Sequence, residues 1–141
     1  RIVLMIDFDK KQSGLFLKIY HDLISLKQLK MDLNELVSKK KKDKVKFKQE
    51  PCALNVACRT LEDAKILCNK ARIAGWKKIG INISDKRIMV SLNSTERLEF
   101  PILQNEKILV NDSFLKIIVD GSKKKLKKSW EKIKKLEKSL N

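Results

Sequence analysis

The chain has 141 residues, of which 43% are hydrophobic and 35% charged, with a formal net charge of +16. That length suits one domain with a real core, and no apolar run approaches the roughly 20 residues of a membrane-spanning helix. A charge excess of this size calls for a polyanionic partner, a high-salt interior or a membrane surface. Nucleic acid is the commonest such partner, and a lysine-rich solvated surface like those of thermophiles is the alternative.

The cysteines and the histidine argue against a metal site. Cys52, Cys58 and Cys68 are an odd number without a Cys-x-x-Cys pair, and His21 is the only histidine. A four-ligand zinc site is therefore close to excluded, and we expect no metal. Without a signal peptide pattern, the simplest interpretation is a cytoplasmic protein whose reduced thiols are mostly buried.

The N-terminal third predicts two strands, a helix and a third strand. The strands are Ile2–Ile6 and Leu15–Tyr20, joined by the polar loop Phe8–Gly14. Because the chain starts at Arg1 directly before a strand, we expect that a segment of the protein precedes it. Ser25 is a predicted N-cap, followed at helical spacing by Leu26, Leu29, Leu33, Leu36 and Val37.

That helix is expected to end in an exposed lysine run, Lys39–Lys42. Lys44–Gln49 alternates apolar residues with lysines and predicts a half-buried edge strand. Ala53–Ala57 predicts a buried strand. Thr60 caps the next helix, with acidic residues in its first turn, and Gly75 suits the position just after the helix end. The inner face of this helix is predicted to hold Leu61, Ala64, Leu67, Cys68 and Ala71.

The remaining elements are four strands and a long helix. Ile79–Ile83 and Arg87–Asn93 are joined by a tight turn, and Leu98–Leu103 and Lys107–Val110 form a hairpin. The helix starts at Asn111 or Asp112 and has a weak point at Gly121. Its predicted apolar face holds Phe114, Leu115, Ile118, Leu126, Trp130, Ile133 and Leu140. The order predicts one α+β domain over residues 1–141, with a mixed or antiparallel sheet, packed helices and a long C-terminal helix.

Glycine spacing excludes several enzyme classes. The four glycines, at positions 14, 75, 80 and 121, cannot form a G-x-G-x-x-G turn or a P-loop. The glycine spacing therefore excludes kinases, P-loop ATPases and Rossmann-type methyltransferases, and we expect a non-Rossmann fold. A Ser-His-Asp or Cys-His arrangement is not readable from the spacing.

Three local features could carry chemistry. Cys58-Arg59-Thr60 lies between a strand and a helix N-terminus, which favours an anion, although a plain Thr cap is the alternative. Asn93-Ser94-Thr95 and Glu99 lie near strand ends and could hold hydroxyl or amine groups, or form an ordinary polar turn. His21 ends a strand, and a lone histidine is more often structural than catalytic.

Lysines crowd the C-terminal helix. The segment from Lys123 to Lys138 contains nine lysines but only two acidic residues, Glu131 and Glu137, and it also contains Trp130. This imbalance predicts contact with an RNA backbone, and a solvated helix face is the alternative. The residues predicted to bind RNA are Lys123, Lys124, Lys127, Lys128 and Lys134.

Short motifs between Pro51 and Pro101 resemble one family. In chain order they are Pro51, Leu54-Asn55-Val56, Cys58-Arg59, Leu61-Glu62-Asp63-Ala64, Gly80-Ile81, Asn93-Ser94-Thr95 and Glu99-x-Pro101. They are similar to the third enzyme of wybutosine synthesis, a tRNA methyltransferase family of archaea and eukaryotes. The resemblance covers nearly the whole chain, and Arg1-Ile2 look like the end of the family's Ser/Cys-rich segment.

Two departures from the family pattern lie within these motifs, and a third lies before them. Asn55 stands where the family usually has histidine, and Ile79 where it often has serine. Phe16 and Tyr20 occupy the strand in which a tryptophan is common. The absence of the Ser/Cys-rich segment leads us to expect that this fragment by itself lacks activity.

The resemblance implies methyl transfer from S-adenosylmethionine to a nitrogen of the tricyclic guanosine derivative at position 37 of phenylalanine tRNA, in the anticodon loop. It also implies candidate catalytic roles for His21 and Arg1. The residues implied to bind the cofactor, around one pocket, are Cys58, Arg59, Gly80, Ser94, Thr95 and Glu99. A non-catalytic RNA-binding module and a structural protein with solvating lysines are the competing interpretations. Titration with S-adenosylmethionine separates the enzyme from both, and salt-dependent tRNA binding separates the other two.

Overall fold

A computed structural model describes residues 1–8, 13–40 and 42–141, so part of the predicted loop Phe8–Gly14 lies outside the described residues. The element order matches the predicted one, and every strand pairing among the described residues is antiparallel. The elements are β1 Ile2–Ile6, β2 Phe16–Tyr20, α1 Leu26–Ser38, β3 Val45–Gln49, β4 Ala53–Cys58, α2 Leu61–Ile73, β5 Lys78–Ser84, β6 Arg87–Asn93, β7 Leu98–Gln104, β8 Lys107–Ile108 and α3 Asp112–Leu140. The α+β class and the long C-terminal helix are confirmed.

The strands form two sheets, whereas the sequence predicted one, and the chain divides into two compact units. Unit 1 comprises Arg1–Glu50 and Arg97–Leu126, and unit 2 comprises Pro51–Glu96 and Lys127–Asn141. The boundary thus falls within α3. That residues 1–141 form one domain stays a prediction. If it is correct, the two units should unfold together in a single calorimetric transition.

Unit 1 contains a five-stranded sheet in the order β2-β1-β3-β7-β8. Helix α1 begins as predicted, because the Ser25 hydroxyl accepts a hydrogen bond from the backbone N–H of Gln28 at 3.1 Å. The core of this unit includes Leu4, Leu29, Leu33, Phe47, Ile102 and Leu115, all at most 2% exposed.

The prediction that Lys44–Gln49 forms an edge strand is wrong. Strand β3 lies in the middle of the sheet and pairs with β1 on one side and β7 on the other. Alternation correctly placed Val45 and Phe47 inward, since both are fully buried. It could not show how many neighbours the strand has, because lysines suit the outward face of a central strand equally well.

Unit 2 contains a three-stranded sheet in the order β4-β6-β5. Its core combines the sheet with α2 and the end of α3, and includes Ala64, Leu67, Trp76, Val90, Leu92 and Leu136. Helix α2 ends in a Schellman motif, in which the N–H of Trp76 donates to Ala71 O at 3.0 Å and that of Gly75 donates to Arg72 O at 3.0 Å. Gly75 has φ +95°, which explains a glycine at the predicted position.

Two burial predictions for unit 2 are wrong. Strand β4 is an edge strand, and Ala53, Leu54, Asn55 and Ala57 are exposed. Leu61 on α2 is 41% exposed, although the other predicted inner residues of that helix are buried. In both cases burial was predicted from apolar residues close together in the sequence. Such a pattern does not show whether another element packs against that surface.

Helix α3 starts with Asn111 as its cap, because Asn111 Oδ1 accepts a hydrogen bond from the N–H of Phe114 at 2.9 Å. It runs unbroken through Gly121. Its buried face departs from the predicted one, because Trp130 is half-buried and Phe114, Ile133 and Leu140 are exposed. The buried positions also include Val119, Ser122, Ser129, Lys132 and Leu136. Among the described residues, no helix is long and apolar enough to cross a membrane.

Candidate functional site

The outward face of the sheet in unit 2 collects the polar residues of the central motifs. Val56, Val90 and Leu92 pack into the core of the unit, and successive strand residues point to opposite faces. Residues directly opposite each other on paired strands share a face. The outward residues, which we call the amide face, are therefore Ala53, Asn55 and Ala57 of β4, Lys78, Gly80, Asn82 and Ser84 of β5, and Arg87, Met89, Ser91 and Asn93 of β6.

Asn55, Ser91 and Gly80 form one row across the three strands of the amide face. A Cβ added at Gly80 would meet nothing within 4 Å, so the glycine leaves bare backbone open to solvent. Asn82 Nδ2 donates a hydrogen bond of 3.4 Å to Ser91 Oγ. Of the predicted cofactor residues, only Gly80 lies on this face, and its neighbours are amides and small side chains.

Cys58 and Arg59 lie at one end of this sheet. Cys58 pairs with Ile88 on the inward face, and partial burial raises the pKa of its thiol. The Thr60 hydroxyl caps α2 by accepting from the N–H of Asp63 at 3.1 Å, as predicted. Arg59 is exposed beside this helix N-terminus and makes no ion pair within the described part of the chain. Arg59, rather than Cys58, is the residue available to an anion.

Ser94 and Thr95 lie at the opposite end of the same sheet. Ala53 pairs with Asn93 and Cys58 with Ile88, so five residues, or about 17 Å of strand, separate the two ends. Strand register therefore places Ser94 and Thr95 at the other end of the sheet from Arg59, and their place on the rim of one pocket with Arg59 stays a prediction.

The Ser94 side chain has a structural partner. Ser94 is 3% exposed, and its hydroxyl accepts a hydrogen bond from the N–H of Cys52 at 3.0 Å. The N–H of Ser94 in turn donates to the Cys52 carbonyl at 2.8 Å. Thr95 alone of this pair is exposed to a ligand.

A buried ion pair fixes the segment that follows Ser94. Lys132 Nζ lies 2.9 Å from both carboxylate oxygens of Glu96, and the two residues are 6% and 4% exposed. Burial by itself would raise the pKa of the Glu96 carboxyl, but the Lys132 ammonium outweighs burial and the pKa is lowered. The sequence showed Lys132 only as one of many helix lysines, and nothing local distinguished it.

Glu99 and Arg1 belong to unit 1, where both are ion-paired. The Glu99 carboxylate binds Arg97 and, at 2.9 Å, Lys46 Nζ, and these cations lower its pKa to about 2. The Arg1 guanidinium pairs with Glu50 and lies 5.2 Å from the centre of the Phe16 ring. Both side chains thus have partners that account for their charge.

His21 lines a cavity of about 360 Å³ at the end of β2. Tyr20 donates a hydrogen bond to the buried Asp32 carboxylate, which also accepts one from Gln28 at 3.0 Å. Burial, reinforced by this bond, raises the pKa of the Tyr20 hydroxyl. The exposed His21 side chain therefore borders a polar network in unit 1.

A second cavity, of about 470 Å³, lies in unit 2 between α2 and β5. It is lined by Lys65, Cys68, Asn69, Arg72, Ile79 and Ile81. None of the predicted site residues lines it, although Gly80 lies between Ile79 and Ile81, which do. Within the described ranges, no group of three or more His, Cys, Asp or Glu side chains could hold a metal ion.

The predicted RNA-binding lysines lie along α3 on both sides of the unit boundary. Lys123 is half-buried, while Lys124, Lys127, Lys128 and Lys134 are exposed. Lys128 Nζ approaches Glu96 to 3.8 Å, with its side chain 65% exposed. Four of the five lysines are therefore accessible to an RNA backbone.

Comparison with known proteins identifies the family. The model of the family described as methyltransferase TYW3 matches residues 7–141. A tRNA(Phe) 7-((3-amino-3-carboxypropyl)-4-demethylwyosine(37)-N(4))-methyltransferase of Archaeoglobus fulgidus is 31% identical over 141 residues, or 98% of this chain and 69% of the relative. A tRNA wybutosine-synthesizing protein 3 homolog of Xenopus laevis is 38% identical over 90 residues, which cover 63% of this chain and 36% of the relative.

A solved structure agrees with the sequence relatives. The PH1069 protein from Pyrococcus horikoshii superposes with a TM-score of 0.85 at 30% identity, covering 99% of this chain and 70% of that one. Fold and sequence therefore point to the same relatives, as the motif resemblance led us to expect. The chain belongs to the methyltransferase TYW3 family, a family of tRNA methyltransferases.

Proposed function

We propose that the protein methylates a nitrogen of the tricyclic wybutosine-pathway guanosine derivative at position 37 of phenylalanine tRNA, with S-adenosylmethionine as methyl donor. The observation that carries this proposal is the family match over residues 7–141, together with the activity for which the Archaeoglobus relative is named. The chain spans 69% of that relative's length. The match supports the reaction of the protein, and the roles of individual residues are separate proposals.

The donor set at the start of α2 suits the carboxylate of the methyl donor. Arg59 supplies a guanidinium, and the first turn of a helix offers backbone N–H groups without helical partners. When bound, S-adenosylmethionine supplies a methyl group activated by its sulfonium. Arg59 would hold the anionic end, and Thr95 and Gly80 would lie nearer other parts of the site.

Such a transfer requires little acid–base chemistry from the protein beyond acceptance of one proton. Positioning and exclusion of water supply most of the rate. His21 is the proposed acceptor, because it is exposed at a polar cavity. Arg1 stays protonated beside Glu50, which further raises its pKa, so its proposed role is electrostatic.

Nucleoside mass spectrometry tests the reaction directly. In phenylalanine tRNA from a strain that lacks the gene, position 37 should be one methyl group lighter. The full-length protein and S-adenosylmethionine should restore that mass in vitro. An unchanged nucleoside in the deletion strain would overturn the proposal, and binding of S-adenosylmethionine by titration calorimetry checks the donor independently.

We further propose that the exposed lysines of α3 contact the tRNA backbone. Lysine-to-glutamine substitutions at Lys124, Lys127 and Lys134 should weaken tRNA binding stepwise. Each lost phosphate contact should lower the slope of log affinity against log salt by about 0.7–0.9. The buried Lys132 is left out, because its loss would disturb the fold. An unaltered salt slope would show that these lysines do not contact RNA and form only a solvated helix face.

A further inference from the structure

The amide face breaks the residue preferences of β-strands. None of its outward positions holds a β-branched or aromatic residue, whereas the inward positions of the same strands hold isoleucine, valine, leucine and one cysteine. Asparagine and glycine, and to a lesser degree alanine, are depleted in strands. Local preferences that fail on one face and hold on the other are expected where function selects the residues.

The chemistry of the amide face suits a planar, neutral ligand. Asn55, Asn82 and Asn93 each offer an amide donor and an amide acceptor. The small Ala53, Ala57 and Gly80 leave the sheet surface between them shallow, with open space over Gly80. A flat heterocycle could therefore lie against the backbone while the amides hydrogen-bond to its edge, as asparagine does to nucleobases.

The charges of the amide face suit a polyanionic strand. It holds no carboxylate, although 17 acidic residues occur in the chain. Lys78 lies opposite Asn93 in one end row, and Arg87 lies opposite Ser84 in the other. These cations are six residues, or about 20 Å, apart along the strands. A neutral centre with a cation at each end matches bases flanked by phosphates.

From these observations we propose that the amide face binds a short single-stranded RNA segment. The bases lie over the row Asn55, Ser91 and Gly80 and bond to the amides of Asn55 and the neighbouring Asn82, and the phosphates bind Lys78 and Arg87. Which RNA is bound rests on the proposed function, under which the segment belongs to the anticodon loop. That loop is already unpaired, so its bases reach a sheet face without the cost of opening a duplex.

Fluorescence anisotropy tests this binding without any methylation step. The probe is a labelled single-stranded RNA of about ten nucleotides, within the range of single-strand binding sites, and a duplex of equal length is the comparison. The double variant Asn55→Thr, Asn82→Thr removes two of the three amides and puts residues that strands favour in their place. We expect it to weaken single-strand binding by at least about tenfold, since each lost base contact is worth that order.

Gln104→Thr is the matched control, because Gln104 is an exposed amide on strand β7 of unit 1. It should bind RNA like the unmodified protein. Gly80→Glu is a second variant that places a carboxylate in open space at the centre of the face, and it should also weaken binding by at least about tenfold. Circular dichroism and melting curves identify a variant that fails to fold.

Equal affinity of the double-threonine variant and the unmodified protein would overturn the inference. Equal affinity for single strand and duplex would do the same, since it would show only attraction between charges. If the amide variants lose RNA binding while the unmodified protein fails to methylate tRNA, RNA binding by the amide face is supported and the proposed function is wrong. If methylation is observed and the amide variants bind RNA normally, the proposed function is supported and the inference about the amide face is wrong.

Discussion

The outward faces of the two sheets handle charge in opposite ways. In unit 1, Lys46 bridges Asp7 at 3.1 Å and Glu99 at 2.9 Å, and Lys48 lies 3.6 Å from Glu50. In unit 2 the outward face has no carboxylate, and the close ion pair of that unit, Lys132 with Glu96, is buried. The charged groups on the outward face of unit 1 therefore satisfy one another. The amide face of unit 2, with a neutral centre and no carboxylate, leaves its amides available to a ligand.

Breaking the buried pair should have the largest effect. Lys132→Met leaves the Glu96 carboxylate buried without its cation, and removal of one partner of a buried pair costs about 3–5 kcal/mol. Urea unfolding measures the loss. Lys128→Met is the control, since this lysine lies on the same helix and near the same carboxylate but is 65% exposed.

Replacing both partners sharpens that result. The double variant Lys132→Met, Glu96→Leu should regain most of the lost stability, because apolar pairs often replace buried ion pairs without cost. If Lys132→Met were as stable as the unmodified protein, the ion pair would not contribute to the stability of unit 2.

Arg59→Ala should come next in size. Arg59 has no acidic partner among the described residues, unlike Arg1 of unit 1, which binds Glu50. Loss of its charged hydrogen bond should weaken binding of the methyl donor or of RNA by about 1–3 kcal/mol, with little change in unfolding. Calorimetric titration measures both ligands, and Lys30→Ala removes the same charge from a residue paired with Asp112. Equal affinities in the two variants would remove Arg59 from the site.

A third substitution should stabilise the protein. Asn82→Thr puts a β-branched residue at an outward position of β5, and strand preference predicts a gain of about 0.5–1 kcal/mol. The gain would show that the amide face gives up stability that unit 1 retains. The melting temperature measures it, and Gln104→Thr in unit 1 is again the comparison. A destabilised Asn82→Thr variant would mean that the asparagine is structural.

The smallest effect concerns acid. The folded pKa of Glu99 is about 2, below its ordinary value of 4.5, so its ion pairs stabilise unit 1 fully above pH 4.5. That contribution disappears as the pH falls through about 2. The unmodified protein should therefore lose more stability than Glu99→Gln over this range, by less than about 1 kcal/mol, because the pair is partly exposed. Melting curves at several pH values measure the difference, and parallel curves would contradict it.

Local chemistry allowed much of the fold to be predicted. The caps at Ser25, Thr60 and Asn111 and the glycine after α2 were found because each depends on a few adjacent residues. The element order followed from apolar spacing for the same reason. The central position of β3 was missed, because its partners β1 and β7 lie far away in the sequence.

The candidate site was predicted only in part, again for lack of long-range information. The motifs drew attention to Gly80, Arg59 and Thr95, which are exposed as a site requires. They did not show that register puts Arg59 and Thr95 at opposite ends of one sheet, or that Glu99 is already ion-paired. The burial of Lys132 depends on Glu96, 36 residues away. No pattern within α3 contains that contact.

The buried lysine also has a use as a chemical reporter. Acylating reagents attack an amine that they can reach, and Lys132 is only 6% exposed in the folded protein, where its ammonium is bound to the Glu96 carboxylate. Its exposed neighbours Lys127 and Lys134 should therefore be modified first. The rate at which Lys132 reacts would time the opening of the core of unit 2. A single peptide map could follow that opening in a mixture, without any added label.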